Sequence, residues 1–261
     1  MSTVTEKMSV YEFGRQLLIT NDLDPVYVML WYSGLPRADI QKWLLAYWCF
    51  YHVGTASWIT DQKYYWRGFE AACRSKDFPR CHERRHFRGD NALKSLEFLR
   101  DHGVKSLFQP LTKNEASLQS VMDYIQTWVG FGPWIAFKAA DMLERLNLCR
   151  IIFPVMWLYD SPREGAELMY EQYKGNLPKE DRIHWAVGAL LNNLSEFKAP
   201  PRCERRLNVQ EAETILCKWK SHMGGRYEIG DDIKAARQGL LFSDAPTGYR
   251  LWHGGKRGGL W

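Results

Sequence analysis

Apolar residues recur at helical spacing along most of this chain. After Pro36, the positions Ile40, Trp43, Leu44, Tyr47 and Tyr51 share a face and predict a helix over 38–58. Leu93, Leu96 and Leu99 do the same over 91–101, with Gly103 as the stop. Thr112 and Glu115 have capping-box spacing and open a helix through Val121, Met122 and Ile125. Ser161 and Glu164 repeat that signature, with Pro162 at the favoured first position, for a helix through Leu168 and Met169 ending near Gly175. Ile183, Val187, Leu190, Leu191 and Leu194 line one side of 182–197. Asn208 is placed to cap a last helix carrying Ile215, Leu216 and Trp219, closed by Gly224. Strand signals are short. The expectation is an all-α fold, with a helical core over 1–200 and a C-terminal helical subdomain over 201–261 packed on it. The best internal joint is the Pro-Pro segment at 198–202, and the glycine-rich 253–259 reads as a flexible tail that Trp252 and Trp261 can pin.

Composition narrows the class. The chain has 261 residues, 46% hydrophobic and 25% charged, which excludes wholesale disorder. The longest apolar runs, at 43–50 and 151–158, are too short to span a bilayer, so no membrane partner is expected. Residues 1–13 lack the layout of a signal peptide, so the expected location is a cytoplasm. The six cysteines show no CxxC pair, which argues against a disulfide framework, an iron–sulfur site or a zinc ribbon. The 12 tryptophans can build a core, stack on bases, or do both. Net charge is only +5, but 201–261 carries 11 Lys and Arg against 7 Asp and Glu. That balance permits a nucleic-acid partner without demanding one.

The most informative stretch is Trp128-Val-Gly-Phe-Gly-Pro-Trp-Ile-Ala-Phe-Lys-Ala-Ala-Asp141. A helix precedes it, Gly130-Phe131-Gly132 makes a tight turn, and Pro133 suits the first position of a second helix. The turn's N–H groups and the second helix's N-terminus can then face a phosphate. The pattern, near 121–146, resembles the helix-hairpin-helix of DNA repair glycosylases, which grips a DNA backbone this way. A plain glycine turn between two helices gives the same pattern. Two departures count against base excision. The Schiff-base lysine of bifunctional glycosylases falls on Trp134 here, and their catalytic aspartate falls on Ile152, with Asp160 eight residues later.

The second segment is Arg80-Cys-His-Glu-Arg-Arg-His-Phe-Arg-Gly89. It matches HExxH literally, but that zinc motif needs a long helix with an apolar face. This segment lies between Pro79 and Gly89, and its four arginines oppose a dication. No metal is expected. The arginines suit an oxyanion: Arg84, Arg85 and Arg88 offer planar forks to a phosphate. Glu83 can orient an arginine or act as a base, and His86 can donate to a leaving oxygen. A solvated basic turn explains the same residues.

Other features read either way. The aromatic run from Tyr47 to Trp58 is core or base platform, and core is the commoner use. His52 within it reads as a satisfied core histidine. Lys138 and Asp141 share a helix face, so they pair with each other or meet substrate, Lys138 a phosphate and Asp141 an amine. Asp231-Asp232 is weak evidence for a cation. Arg202, Arg205 and Arg206 read as solvated surface. The chain has no GxGxxG and no Walker lysine motif, and nothing in it calls for a cofactor.

Three segments together, Tyr47-Trp-Cys-Phe-Tyr-His52, Glu83-Arg-Arg-His-Phe-Arg-Gly89 and Phe131-Gly-Pro-Trp-Ile-Ala-Phe-Lys-Ala-Ala-Asp-Met142, resemble the phage amino-acid:DNA transferase family. That family is also described as alpha-glutamyl/putrescinyl thymine pyrophosphorylases and is related to the helix-hairpin-helix glycosylases. The resemblance covers most of 25–245. It implies a helix-hairpin-helix glycosylase-like helical domain acting on phage DNA, single- or double-stranded, in the bacterial host cytoplasm. The implied reaction joins a free amino acid such as glycine, through its amine, to the 5-methylene of phosphorylated 5-hydroxymethyluracil. Phosphate or pyrophosphate leaves. Under this reading Arg84, Arg85, Arg88 and Lys138 hold the leaving anion, and Glu83, His86 or Asp141 takes the amine's proton. Gly130, Phe131, Gly132 and Trp134 meet the DNA, with Trp134 or Phe131 filling the stack or holding a flipped base. Two rival readings remain: a glycosylase-like base hydrolase using Asp160 or Asp141, and a non-catalytic helix-hairpin-helix DNA-binding module.

Overall fold

Along the chain the helices are α1 (Val10–Ile19), α2 (Pro25–Tyr32), α3 (Arg37–Phe50), α4 (Val53–Thr60), α5 (Tyr65–Arg74), α6 (Gly89–His102) and α7 (Val104–Phe108). They continue as α8 (Leu118–Gln126), α9 (Pro133–Arg145), α10 (Asp160–Tyr173), α11 (Lys179–Asn193), α12 (Val209–Met223), α13 (Asp231–Leu240) and α14 (Pro246–Arg257). The computed structural model describes residues 8–112, 115–154, 156, 158–173, 175–242 and 244–261. The fold is all-α; its one strand pair among the described residues is β1 (Ala116–Ser117) parallel to β2 (Ile151–Ile152). No helix among the described residues is long and apolar enough to cross a membrane.

The chain divides into two compact units. The first comprises residues 1–25 and 153–233, with Leu260; the second comprises 26–152 and 234–259, with Trp261. The division differs from the expected boundary near 200. The joint expected at 198–202 is internal to the first unit, where Ala199 N–H donates to Arg205 O at 2.9 Å. Residues 201–261 are shared between the two units.

In the first unit α1, α10, α11 and α12 meet around Phe13, Leu17, Met169, Leu190, Leu194, Ile215 and Trp219. Gly165 on α10 lets that helix ride directly over the Leu216 carbonyl of α12, where a Cβ would overlap backbone. Asn208 caps α12 as its sequence predicts: it accepts from Gln210 N–H at 2.8 Å, and Glu211 accepts from Asn208 N–H at 2.9 Å.

The second unit has an aromatic core: Trp43, Trp48, Phe50, Phe69, Phe108, Trp128 and Phe137 are fully buried. Each contributes roughly 1.5–3 kcal/mol by leaving water. Most of the aromatic run in α3 is therefore core. The helix predicted over 38–58 is two helices. Tyr51 adopts a left-handed conformation (φ 51°, ψ 42°), and His52 Nδ1 accepts the Thr55 N–H at 3.1 Å, which starts α4 afresh.

Other expectations shift locally. Ser117, rather than Thr112, caps α8, its Oγ accepting from Ser120 N–H at 3.1 Å; Thr112 closes a 3₁₀ turn, Pro110–Thr112. Helix α10 begins at Asp160, so Ser161 and Pro162 lie in its first turn. Helix α12 is not the last. The glycine-rich segment expected as a flexible tail forms the end of α14, with Trp252 and Trp261 rings 5.0 Å apart. Its glycines are there for approach: a Cβ at Gly254 would collide with the Met29 carbonyl of α2, and one at Gly258 with Val28.

Candidate active site

All the residues of this site lie in the second unit. Helices α8 and α9 flank the glycine turn expected from the sequence and pack against each other. The base of this pair is pinched by β1, which leads into α8, and β2, which follows α9; Ala116 N–H donates to Arg150 O at 3.0 Å. Within the turn, Trp128 and Phe131 point inward at 1% and 3% exposure, while Val129, Gly130, Gly132 and Pro133 face solvent. Gly130 holds φ +82°, a conformation that favours glycine. Gly132 is the N-cap of α9 and offers no side-chain cap; Pro133 has no N–H and Ala136 N–H donates to Gly132 O at 3.0 Å, so the Trp134 and Ile135 N–H groups are the first-turn donors that a side-chain cap would otherwise meet.

The basic segment lies against this turn. Residues His82–Arg84 form one 3₁₀ turn, so His82 and His86 do not share a helix face and the HExxH geometry is absent. The chain alternates inward and outward. Arg84 is buried; its Nε donates to Cys49 O at 3.0 Å and its Nη1 to Gly130 O at 3.1 Å. Its guanidinium lies over the Phe87 and Phe131 rings, 4.8 and 5.5 Å from their centroids. Burial lowers its pKa from the ordinary arginine value. Arg80 is similarly engaged, donating to Phe87 O and lying over the Phe50 ring. By contrast Glu83, Arg85, His86 and Arg88 are exposed. Arg85 Nη1 donates to His82 O at 3.0 Å, and neither Arg85 nor Arg88 has a carboxylate within ion-pair distance among the described residues.

Three expected contact residues therefore face the interior. Arg84, expected on a phosphate, spends two donors on main-chain carbonyls and fixes the hairpin turn to the end of α3. Phe131, expected on a base, packs edge-on against Trp128 at 5.2 Å. Asp141 is 1% exposed and accepts the Tyr27 hydroxyl at 2.6 Å. The reason lies in the period of α9: Phe137, Asp141 and Arg145, four residues apart, turn inward together. A buried carboxylate stays charged at tolerable cost only where donors meet it. Arg145 lies over the same Tyr27 ring at 4.9 Å. Lys138 is half-buried, with its ammonium 5.5 Å from the Phe137 ring.

Trp134, half-buried at the second position of α9, tilts against Tyr51 at 5.1 Å. Tyr51 in turn continues a ladder through Tyr47 to Trp43, at 4.6 and 4.7 Å. Sequence reasoning put Tyr47 and Tyr51 on one face but missed their tie to Trp134, because the left-handed turn at Tyr51 has no sequence signal. It also missed Tyr27, which is 114 residues from its partner Asp141. His52 caps α4, and burial holds its pKa at about 4, so the ring is neutral near pH 7. Burial likewise pushes the Cys73 and Cys81 thiols up to about 12 and the Cys49 thiol well above its usual range. None of the three is a thiolate nucleophile at neutral pH.

The site thus sets an exposed segment with one carboxylate, Glu83, two imidazoles, His82 and His86, and two guanidinium groups without a carboxylate partner among the described residues beside a turn whose following helix has no side-chain cap. Such a set can bind anions and accept a proton from an amine. A family model described as "Amino acid:DNA transferase" matches residues 19–227. The glycinyltransferase of Pseudomonas phage PaMx11 is 34% identical over 272 residues, covering 92% of this chain and 93% of that protein. The putrescinyltransferase of Delftia phage PhiW-14 is 23% identical over 239 residues, 85% of this chain and 75% of that protein. The chain belongs to the amino acid:DNA transferase family.

Proposed function

We propose that this transferase joins glycine, through its amine, to the 5-methylene of phosphorylated 5-hydroxymethyluracil in phage DNA, inside the bacterial host cytoplasm. The observation that carries this reading is the 34% identity, nearly end to end, with a phage glycinyltransferase. In the reaction the methylene C–O bond breaks, its electron pair leaves with phosphate or pyrophosphate, and a C–N bond forms. The glycine ammonium must shed a proton to attack, and the amine sheds another on bond formation. Glu83 and His86 are the exposed groups suited to take them. Arg85 and Arg88, exposed and without carboxylate partners among the described residues, suit the leaving anion or the glycine carboxylate, and Lys138, half-buried on α9, is a further candidate for that anion. The turn at Gly130 and Gly132, with the uncapped start of α9, suits a DNA phosphate, as in a helix-hairpin-helix. Trp134 suits a base taken out of the stack. Arg84, Phe131 and Asp141 then serve by fixing the turn and α9 rather than by touching DNA.

Nucleoside mass spectrometry tests the reading. DNA bearing phosphorylated 5-hydroxymethyldeoxyuridine is incubated with the protein and a pool of amino acids, then digested. The expected product is a nucleoside that has lost phosphate and gained glycine. Glu83→Gln is expected to cut turnover by about 10²–10⁴-fold while leaving DNA affinity in place. Released base and abasic sites would instead identify a glycosylase-like hydrolase. Unchanged nucleosides under tight DNA binding would identify a non-catalytic DNA-binding module.

A further inference from the structure

Helices α13 and α14, with Leu241, Asp244 and Ala245 between them, leave an apolar groove of about 300 Å³ that Leu240, Gly248, Tyr249 and Trp252 also line. Leu241 is 73% and Tyr249 67% exposed, large apolar surfaces that face water. The surroundings are cationic. Helix α14 carries Arg250, Lys256 and Arg257 and no carboxylate. Arg237 of α13 lies 5.2 Å from the Trp252 ring centroid, and His253 packs edge-on against Tyr249 at 4.3 Å. Arg250 donates one N–H to Gly34 O at 3.3 Å and keeps further donors, and Lys256 is exposed. Aromatic rings interleaved with cations on one exposed face are the chemistry of a single-stranded nucleic-acid platform.

We propose that this face is a second DNA contact, taking an unpaired nucleotide next to the target base. The base stacks on Tyr249 in the groove, and the adjoining phosphates lie on Arg250 and Lys256. Asp244 is the groove's one carboxylate. It repels a phosphate and accepts from a base's exocyclic amine, so the base enters the groove and the backbone stays outside. Two ring contacts lie between this face and α9. Phe242, beside the groove, meets His52 at 5.7 Å, and Tyr51, next in the chain, meets Trp134 of α9 at 5.1 Å. A strand drawn over the hairpin thus has an aromatic path toward α14. A second copy of the chain is the rival occupant, and the absence of any acid on α14 favours a polyanion over a like-charged copy.

This inference rests on DNA being the substrate but not on the identity of the transferred group. It is tested by fluorescence anisotropy with an unmodified, mixed-sequence single-stranded oligonucleotide. Tyr249→Ala is expected to weaken binding about tenfold, and Tyr249→Phe to restore it, with the melting temperature unchanged in both. Arg250→Gln with Lys256→Gln is expected to reduce the slope of log affinity against log salt by about 1.4. Wild-type affinity and salt slope in all three variants would overturn the proposal. So would a Tyr249→Ala protein that sediments as monomer where wild type is dimer, with DNA affinity unchanged. Glycine transfer by the wild type, assayed alongside, separates the two readings. Binding through Tyr249 without transfer sinks the transfer reaction alone, and transfer with unchanged Tyr249→Ala binding sinks this contact alone.

Discussion

Two arginine clusters that look alike in sequence behave differently in their own units. In the first unit, Arg205 holds Glu211 with both guanidinium nitrogens, at 2.9 and 3.1 Å, and Glu211 is completely buried. Gln210 takes a further Arg205 donor at 2.8 Å. The sequence-based reading of Arg205 as solvated surface is thus corrected: it completes a charge-matched cap at the start of α12. In the second unit, Arg85 and Arg88 face water with no carboxylate within ion-pair distance among the described residues. The adjacent helix start is open as well: α12 begins under the Asn208–Glu211 box, whereas α9 begins at Gly132 with no side-chain cap. Where the fold supplies its own counter-charge, the cluster is structural. Where it does not, the cluster remains available to an outside anion.

The sharpest way to break this comparison is to remove one arginine set at a time. Arg205→Leu leaves Glu211 buried without its main partner and is expected to cost about 3 kcal/mol of stability. Urea unfolding would measure that loss, and transfer per folded molecule should stay at the wild-type value. Arg85→Gln with Arg88→Gln should do the reverse. Stability is expected to move by no more than about 0.5 kcal/mol, as for ordinary surface substitutions. Turnover is expected to fall on the order of 10²-fold, the scale of losing charge stabilisation at a leaving group. If the double variant unfolds early and the Arg205 variant does not, the comparison is inverted.

A smaller effect separates caps from acid–base groups. His52 sits inside the aromatic unit and caps α4 through a neutral ring, with its pKa lowered to about 4 by burial. The unfolded chain takes up this proton near pH 6.5, the folded chain only near 4. Stability from this group is therefore intact above about pH 6.5 and declines as pH falls toward 4, by a total of roughly 2–3 kcal/mol. His52→Asn keeps a capping oxygen and removes the titration. Urea midpoints measured between pH 7 and 4.5 should fall less steeply for His52→Asn than for wild type. Parallel curves would assign the acid sensitivity to other groups.

What the sequence disclosed was local, and what it hid was distant or conformational. The Asn208 cap and the Gly130–Pro133 turn were legible because their physics spans a few residues, whereas Glu211's part in that cap was read only from the structure. The break at Tyr51 was not, because helical periodicity runs straight through it while a His52–Thr55 hydrogen bond decides the matter. The end of α14 looked like a flexible tail because glycine disfavours helices, yet Gly254 and Gly258 earn their place through contact with α2. The nearness of 82–88 to the hairpin rests on Arg84 and Gly130, 46 residues apart, and no spacing rule announces such a pair.

Gly130 tests how much of the site depends on that turn. Its φ of +82° is a conformation that costs an alanine about 1 kcal/mol. Space is not the obstacle: a Cβ would stand 3.4 Å from Ser95 Oγ and 4.0 Å from Phe87, ordinary contact distances. Gly130→Ala should therefore lower stability by about 1 kcal/mol and leave the fold intact. The carbonyl that Arg84 holds belongs to this residue, so strain there also tilts the exposed N–H groups of the turn. If the turn grips a phosphate, DNA affinity should fall further than the stability loss predicts, with the salt slope reduced by about one contact. If the turn only connects two helices, affinity should stay at the wild-type value while the melting temperature drops. Measuring affinity and melting on the same variant distinguishes a DNA-gripping turn from a plain connection.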